Sequence, residues 1–285
     1  MRVIYGVLGA ALLLGSVWFS PWTFGLFFAA VQAVMLWEFY RMMRAGGYAP
    51  ATWIGVGAGL ILFSGTFYLI FNGTAPVNSL NSFLESLAAV AYLEVLWQGM
   101  AIVLPVVLLI REMMVWPRFP QPFGNASTAV FGLLYISVPM TLLIYIGRGE
   151  NGYDYRRVFA LLFLIWASDI GAYAAGKTFG KHKLAPKISP GKTWEGWAGG
   201  FVLTLVVGWA LGYLLPDLPL THRLVAAGVV AVFAPLGDLA ESMLKRSVGV
   251  KDSGSIMPGH GGLLDRFDAF LLVLPVLALL QLLAG

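Results

Sequence analysis

Apolar stretches long enough to cross a membrane recur from one end of this sequence to the other. A helix needs about 20 mostly apolar residues to span the hydrocarbon core of a bilayer. Such stretches predict about nine transmembrane helices, at 3–19, 22–40, 51–71, 87–110, 126–147, 157–177, 196–215, 222–241 and 263–284. The predicted fold is therefore an all-α polytopic membrane protein.

The amino-acid composition agrees with this fold class. The chain has 285 residues, of which 59% are hydrophobic and 11% are charged, whereas soluble domains are about 45–50% apolar and about 25% charged. A chain this apolar cannot hide its surface in one water-soluble core. It contains no cysteine, which excludes disulfides, thiolate metal sites and cysteine nucleophiles.

The loops predict an orientation. Most lysines and arginines lie in the loops on the side of the N-terminus, and the other side has Arg148, Arg156, Arg157 and Arg223. Because cytoplasmic loops carry the excess of positive charge, the N-terminus is expected in the cytoplasm. The first 20 residues look like a signal peptide, but no small-residue cleavage site precedes Pro21. We expect a retained first helix.

A basic loop follows the sixth predicted helix, between Gly176 and Gly196. Within it, the segment S-P-G-K-T predicts a turn at Pro190 and Gly191 that presents backbone N–H groups. Ser189, Lys192 and Thr193 would surround this turn, and the combination suits a phosphate group. The alternative for the other lysines of the loop is a simple cytoplasmic anchor.

An acidic residue, Asp169, lies inside the sixth predicted helix, in W-A-S-D-I-G-A-Y-A-A-G. A carboxylate within a membrane helix costs a few kcal/mol, so it is a functional candidate by default. The alternative is a hydrogen bond to a neighbouring helix. Ser168, Ala172 and Gly176 recur every four residues, a spacing that lets another helix approach closely.

The eighth predicted helix ends with an acidic and basic face. Asp238, Glu241, Ser242 and Lys245 are spaced to share one side of a helix. Two carboxylates near the membrane surface favour a divalent cation that neutralises them. The alternative is a salt bridge between Glu241 and Lys245, and for that reason Glu241 is not assigned to a metal.

The segment K-D-S-G-S-I-M-P-G-H-G-G-L-L-D-R-F-D, from Lys251 to Asp268, concentrates glycine and charge. Its glycines and Pro258 predict a tight turn in which backbone amides approach an anion. Asp265 and Asp268, one helical turn apart, would face the same point as Asp238. Oxygen ligands of this kind favour Mg²⁺ over zinc. For His260, phosphate binding, proton transfer and a structural hydrogen bond all stay open.

Cations surround these carboxylates, and together they indicate a site for a metal–polyphosphate complex. The cations are Lys245, Arg246, Lys251 and Arg266.

The segment from Ser242 to Asp268 resembles the C-terminal signature of the phosphatidate cytidylyltransferase (CDP-diacylglycerol synthase) family. The sequences D-I-G-A-Y at 169–173, S-P-G-K-T-W-E-G at 189–196 and L-G-D at 236–238 resemble the same family. The resemblance covers about residues 165–270, and the first 150 match only as hydrophobic helices. It divides the chain into N-terminal transmembrane helices, 1–150, and a catalytic region, 151–285.

The resemblance implies an enzyme of phospholipid biosynthesis that condenses CTP with phosphatidic acid, giving CDP-diacylglycerol and pyrophosphate. It implies Mg²⁺, often with a monovalent cation such as K⁺, and an active site at the cytoplasmic face of a bacterial inner membrane. The lipid bilayer is a partner, and no nucleic acid is expected. Plentiful small-residue helix faces also allow a homodimer.

The resemblance also suggests roles for the candidate residues. Asp238 and Asp265 would hold Mg²⁺, with Asp268 as a third ligand or as a ligand of a second ion. The catalytic set is Asp169, Asp238, Lys245, Arg246 and Asp265. The substrate-binding set is Ser189, Lys192, Thr193, Lys251, His260 and Arg266. Which of the cations binds the triphosphate and which the lipid phosphate stays open.

Three other functions compete with this one. A transporter or channel would use Asp169 and Asp238 for cation passage, but these acids lie among many cations. A CDP-alcohol phosphotransferase would carry a D-G-x-x-A-R pattern, which is absent. A non-catalytic scaffold has no use for a costly acidic cluster, and Asp265→Asn would impair an enzyme but not a scaffold.

Overall fold

The computed structural model describes residues 2–72, 80–149, 152–254, 256 and 261–283, and it confirms the all-α architecture. The helices are α1 (Arg2–Phe19), α2 (Pro21–Ala45), α3 (Thr52–Asn72), α4 (Leu80–Val115), α5 (Pro122–Gly132), α6 (Val138–Ile146), α7 (Tyr155–Phe179), α8 (Trp194–Ala210), α9 (Leu220–Ser247) and α10 (Leu264–Leu283). A π-helical turn, Leu133–Ser137, joins α5 to α6. Two short antiparallel hairpins pair β1 (Arg148–Gly149) with β2 (Gly152–Tyr153), and β3 (Lys183–Ala185) with β4 (Ser189–Thr193).

Each of the nine predicted apolar segments lies on a helix, when α5 and α6 are counted as one rod. Seven helices of the described chain are long and apolar enough to cross a membrane, whereas the apolar helix Gly6–Phe19 is shorter. The α10 helix has three charged residues in its first five positions. The number of crossings and the side of the N-terminus stay predictions.

The boundary between α1 and α2 is encoded locally. The hydroxyl of Ser20 accepts a hydrogen bond from the Thr23 N–H at 3.1 Å, and the Thr23 hydroxyl accepts one from the Ser20 N–H at 3.1 Å. This reciprocal capping box, followed by Pro21 at the first helical position, begins a new helix. The short predicted break between the first two apolar segments is therefore confirmed.

The α7 and α8 helices pack closely through glycine. A Cβ added to Gly171 would lie 2.7 Å from the carbonyl oxygen of Gly199 and 2.9 Å from the Cα of Gly200. The predicted close approach at the small residues of α7 is confirmed. It brings the C-terminal half of α7, with Asp169, against the start of α8.

We expect Gly171→Ala to destabilise the protein by about 1–3 kcal/mol, because its methyl group would overpack a backbone contact. The matched control is Gly228→Ala in α9, where an added Cβ would meet nothing within 4 Å. Thermal unfolding in detergent measures both. Equal unfolding temperatures for the two variants would contradict the close packing of α7 on α8.

The hydrophobic core ties the N-terminal helices to α10. The α10 helix packs against α2 and α6 as well as against α9, and the rings of Phe28 and Phe267 meet edge to face at 6.1 Å. A buried hydroxyl of α2 is hydrogen-bonded across the bundle. The Tyr40 hydroxyl donates to the carbonyl of Ala129 at 2.8 Å. The first half of the chain therefore helps to position α10.

The predicted turn at Pro190 and Gly191 is wrong. Both residues lie in β4, which pairs with β3, and the turn falls at 186–188. Proline lacks an N–H donor, but an edge strand tolerates it because one side of the strand needs no partner. The hairpin therefore presents Lys192 on a strand that leads directly into α8.

Candidate functional site

A cavity of about 430 Å³ lies between α7, the β3–β4 hairpin, α8 and α9. Its lining includes seven side chains that carry charge or a hydroxyl: Ser168, Asp169, Tyr173, Lys177, Lys192, Thr193 and Asp238. Four of these, Asp169, Lys192, Thr193 and Asp238, were predicted site residues. The cavity is therefore the candidate site for the chemistry of this protein.

An ion pair joins two sides of the cavity. The Nζ of Lys192 lies 2.7 Å from an Oδ of Asp238 and donates to the carbonyl oxygen of Pro235 at 3.1 Å. The other Asp238 oxygen accepts from the Ser242 hydroxyl at 3.2 Å. The Asp238 side chain is still 45% exposed, so its carboxylate can meet a ligand.

Three carboxylates from three helices form what we call the carboxylate cluster: Asp169 of α7, Asp238 of α9 and Asp268 of α10. Asp169 and Asp268 each interact electrostatically with Asp238 and with Lys192, and Asp169 also interacts with Arg266. Like charges gathered in this way repel one another, so the cluster favours binding a cation.

A second charged group, which we call the Lys245 triad, consists of Lys245, Glu241 and Asp265. The Lys245 Nζ lies 2.6 Å from an oxygen of each carboxylate. The side chains are almost fully buried, with 11% of Lys245, 1% of Glu241 and 11% of Asp265 exposed. The predicted salt bridge between Glu241 and Lys245 is confirmed.

Asp265 is held by backbone groups as well as by Lys245. Its carboxylate accepts hydrogen bonds from the N–H of Gly262 at 2.8 Å and from the N–H of Ser253 at 3.1 Å. Both carboxylate oxygens therefore have donors from the protein. Asp268 lies on the same helix as Asp265 but belongs to the carboxylate cluster, where it interacts with Asp238 and Asp169.

The remaining predicted residues occupy several environments. Thr193 lines the cavity and caps α8, because its hydroxyl accepts from the Gly196 N–H at 3.1 Å. Ser189 is half-buried in β4, and the side chains of Arg246 and Lys251 are exposed near the end of α9. Pro258, around which a turn was predicted, and the candidate His260 lie outside the described residues.

Sequence reasoning missed two cavity residues, Tyr173 and Lys177. Both line the cavity, and the Lys177 ammonium lies 5.7 Å from the centroid of the Tyr173 ring. They follow Asp169 at intervals of four residues, which places all three on one face of a helix. That spacing is a signal that could have identified them.

Tyr135 was also missed, and no sequence signal points to it. It lies on the π-helical turn between α5 and α6, and such turns are frequent at functional sites. Its hydroxyl is buried, has no hydrogen-bond partner among the described residues, and interacts electrostatically with Glu241, Asp268 and Asp238. It therefore interacts with members of both charged groups.

The donor set fits a magnesium ion. Within the described part of the chain, no three His, Cys, Asp or Glu side chains already form a metal site. Mg²⁺ does not need such a cage, because it binds through one or two carboxylates together with substrate phosphates and water. Asp238 and Asp268 supply oxygen donors of that kind.

The profile of the cytidylyltransferase family matches residues 1–283. The phosphatidate cytidylyltransferase of Bacillus subtilis is 35% identical over 278 residues, which cover 97% of this chain and 95% of that protein. The phosphatidate cytidylyltransferase of Haemophilus influenzae is 33% identical over 286 residues, covering 94% of this chain and 93% of that protein. The chain therefore belongs to the cytidylyltransferase family.

Proposed function

We propose that this protein transfers the cytidylyl group of CTP to phosphatidate. An oxygen of the lipid phosphate attacks the α-phosphorus of CTP, and the bond from that phosphorus to the bridging oxygen of pyrophosphate breaks. The products are CDP-diacylglycerol and pyrophosphate. The observation that supports this most directly is the cavity in which Asp169 and Asp238 meet Lys192. Relatives that match nearly the whole chain are named phosphatidate cytidylyltransferase.

The reaction joins two phosphates that repel each other, so the protein must neutralise charge and align the reactants. Asp238 and Asp268 would hold Mg²⁺, with Asp265 as a further ligand. When bound, Mg²⁺ neutralises the charge of the triphosphate. To bind Mg²⁺, the Asp265 carboxylate would have to exchange some of its contacts with Lys245 and with the N–H groups of Gly262 and Ser253. If K⁺ is a second ion, Asp268 is its proposed ligand, and Asp169 adds negative charge beside it.

The cations of the site would bind the phosphates. Lys192 lies at the cavity wall beside Asp238, and Lys177 lines the same cavity, so both are placed to bind the triphosphate and to stabilise departing pyrophosphate. Ser189 and Thr193 flank Lys192 in the same hairpin. The exposed side chains of Arg246, Lys251 and Arg266 would bind the lipid phosphate, and His260 is proposed to assist either phosphate.

Lys245 has a different proposed role from the one that the sequence suggested. Its ammonium is buried between Glu241 and Asp265, so it would act on the reaction by holding Asp265 and not by direct contact with a phosphate.

The lipid would reach the site from within the bilayer, with its acyl chains remaining between lipid and protein helices. We place the site at the cytoplasmic face of a bacterial inner membrane, because that is the side to which the lysine-rich loop and the signature segment are assigned. A homodimer stays a prediction.

We expect purified protein to form CDP-diacylglycerol from phosphatidic acid and labelled CTP when Mg²⁺ is present. Chelation with EDTA should abolish product, because the carboxylates and phosphates would then lack a bridging cation. Restoring Mg²⁺ in excess of EDTA should restore the rate, which controls for damage to the protein. Folded protein that makes no product across lipids and ions would refute the proposed reaction; ion flux would then be measured.

A further inference from the structure

Glu38 connects the first half of the chain to the signature segment. It lies in α2 and is completely buried. Its Oε2 accepts hydrogen bonds from the N–H of Leu264 at 2.9 Å and from the hydroxyl of Ser253 at 3.4 Å. Ser253 lies within the segment that joins α9 to α10, and Leu264 is the first residue of α10. One carboxylate of α2 therefore contacts both that segment and the helix that follows it.

The start of α10 needs such an acceptor. The first N–H groups of any helix have no partner within the helix, and here the helix is preceded by G-G-L, which offers no side-chain cap. The Leu263 N–H also donates to Glu38. A negative charge at a helix N-terminus is stabilising, so Glu38 acts as a cap supplied by another helix.

The backbone around Glu38 leaves no spare room. A Cβ on Gly262 would lie 2.6 Å from Oε2 of Glu38, and a Cβ on Gly254 would collide with Oε1. Glycine at both positions lets the segment close on the carboxylate. A buried carboxylate costs several kcal/mol unless it is hydrogen-bonded. The donors compensate Oε2, whereas Oε1 has no hydrogen-bond partner among the described residues.

The same contacts lead to the candidate site. Ser253 donates its hydroxyl to Glu38 and its N–H to Asp265. Leu264, which donates its N–H to Glu38, immediately precedes Asp265 in the chain. A shift of Glu38 would therefore move the residues that orient Asp265, and with them the first turns of α10 that carry Asp268.

We propose that Glu38 is a positioning residue for the reaction. It holds Ser253 and the start of α10 in place, so that Asp265 and Asp268 present their carboxylates correctly relative to Asp238. This inference rests on the proposed function for its catalytic part, but the contact itself can be tested without activity. It gives α2 a function beyond spanning the membrane.

The first experiment compares Glu38→Met with Glu38→Gln in the full-length protein. Methionine has similar length but no comparable acceptor, so kcat should fall roughly 10²-fold, as misplacement of catalytic groups does. The KM for CTP should change much less, because the cavity and Lys192 remain. Glutamine keeps an amide oxygen that can accept from Leu264, so it should restore most of kcat.

Gln32→Met is the matched control. Gln32 lies on the same helix, is equally buried, and donates to the carbonyl of Gly59 at 2.8 Å. The substitution removes a buried hydrogen bond far along the chain from the signature segment. It should lower stability while leaving kcat per folded molecule near that of the wild type.

Amide hydrogen exchange of the full chain in lipid nanodiscs gives the second readout. Glu38→Met should speed exchange at Ser253 and Leu264, whereas Gln32→Met should not. If the wild type makes no CDP-diacylglycerol, the proposed reaction fails but faster exchange still supports the contact. Unchanged exchange in Glu38→Met, or an active wild type whose kcat survives the substitution, overturns the inference.

Glu38→Asp is the second variant in case the methionine variant does not fold. It keeps the charge but withdraws the carboxylate by one methylene from Leu264. It should show faster exchange at the start of α10 and a smaller fall in kcat than the methionine variant. Wild-type exchange and wild-type kcat in this variant would equally overturn the inference.

Discussion

Replacing Asp238 with asparagine is expected to lower kcat for CDP-diacylglycerol formation by roughly 10²–10³-fold, the size of effect that follows loss of one group that stabilises transition-state charge. A neutral amide neither balances Lys192, which lies 2.7 Å away, nor binds Mg²⁺ as a carboxylate does. Because the Asp238 side chain is 45% exposed, folding should be little affected. Initial rates across a Mg²⁺ series, with thermal unfolding of the same samples, measure both expectations.

The control for this prediction is Asp217→Asn. The Asp217 side chain is 51% exposed and also pairs with a cation, Arg156, at 3.4 Å, but it belongs to neither charged group of the site. It should keep the wild-type rate at every Mg²⁺ concentration. If Asp238→Asn does the same, the carboxylate cluster has no part in the reaction.

Much of the helical fold could be predicted because the thickness of a bilayer sets the length of the apolar segments that cross it. Runs of about 20 apolar residues identify membrane helices, and the Ser20–Pro21 boundary carries its own capping signal. Other features depend on neighbours that local sequence does not reveal. Pro190 and Gly191 favour a turn in isolation, but pairing of β4 with β3 places them in a strand. The π-helical turn at Leu133–Ser137 has no residue signature at all.

The candidate site shows the same limit. Asp169, Asp238 and Asp268 could be identified because carboxylates are costly in membrane helices. Asp268 interacts with Asp238, as the sequence predicted. Asp265 was predicted to face the same point but pairs with Lys245, although it begins the same helix only three residues earlier. Only the packing of α9 and α10 decides that Asp265 meets Lys245.

Glu38 illustrates why some functional residues escape sequence analysis altogether. In the sequence W-E-F-Y-R it resembles an ordinary charged residue near the end of a membrane helix. Its hydrogen-bond partner Leu264 is 226 positions away. No local pattern encodes a contact at that separation.

Lys245→Met is expected to destabilise the protein by about 3–5 kcal/mol, the usual effect of removing one partner from a buried ion pair. The substitution leaves Glu241 without its partner and Asp265 without its only side-chain cation among the described contacts. Activity should fall as well, because Asp265 would lose the contact that holds it opposite α9. Unfolding by heat and by denaturant, followed beside initial rates, measures the two effects separately.

Two further variants separate stability from catalysis. Lys187→Met removes an exposed lysine from the hairpin turn and should change stability by less than about 0.5 kcal/mol. The double variant Glu241→Gln/Lys245→Met removes the buried acid together with its cation, and should recover much of the lost stability. Asp265 would keep its hydrogen bonds from Gly262 and Ser253 but not its cation, so activity should stay low. If the double variant recovered activity along with stability, Lys245 would matter only as a partner for Glu241, and its proposed hold on Asp265 would be wrong.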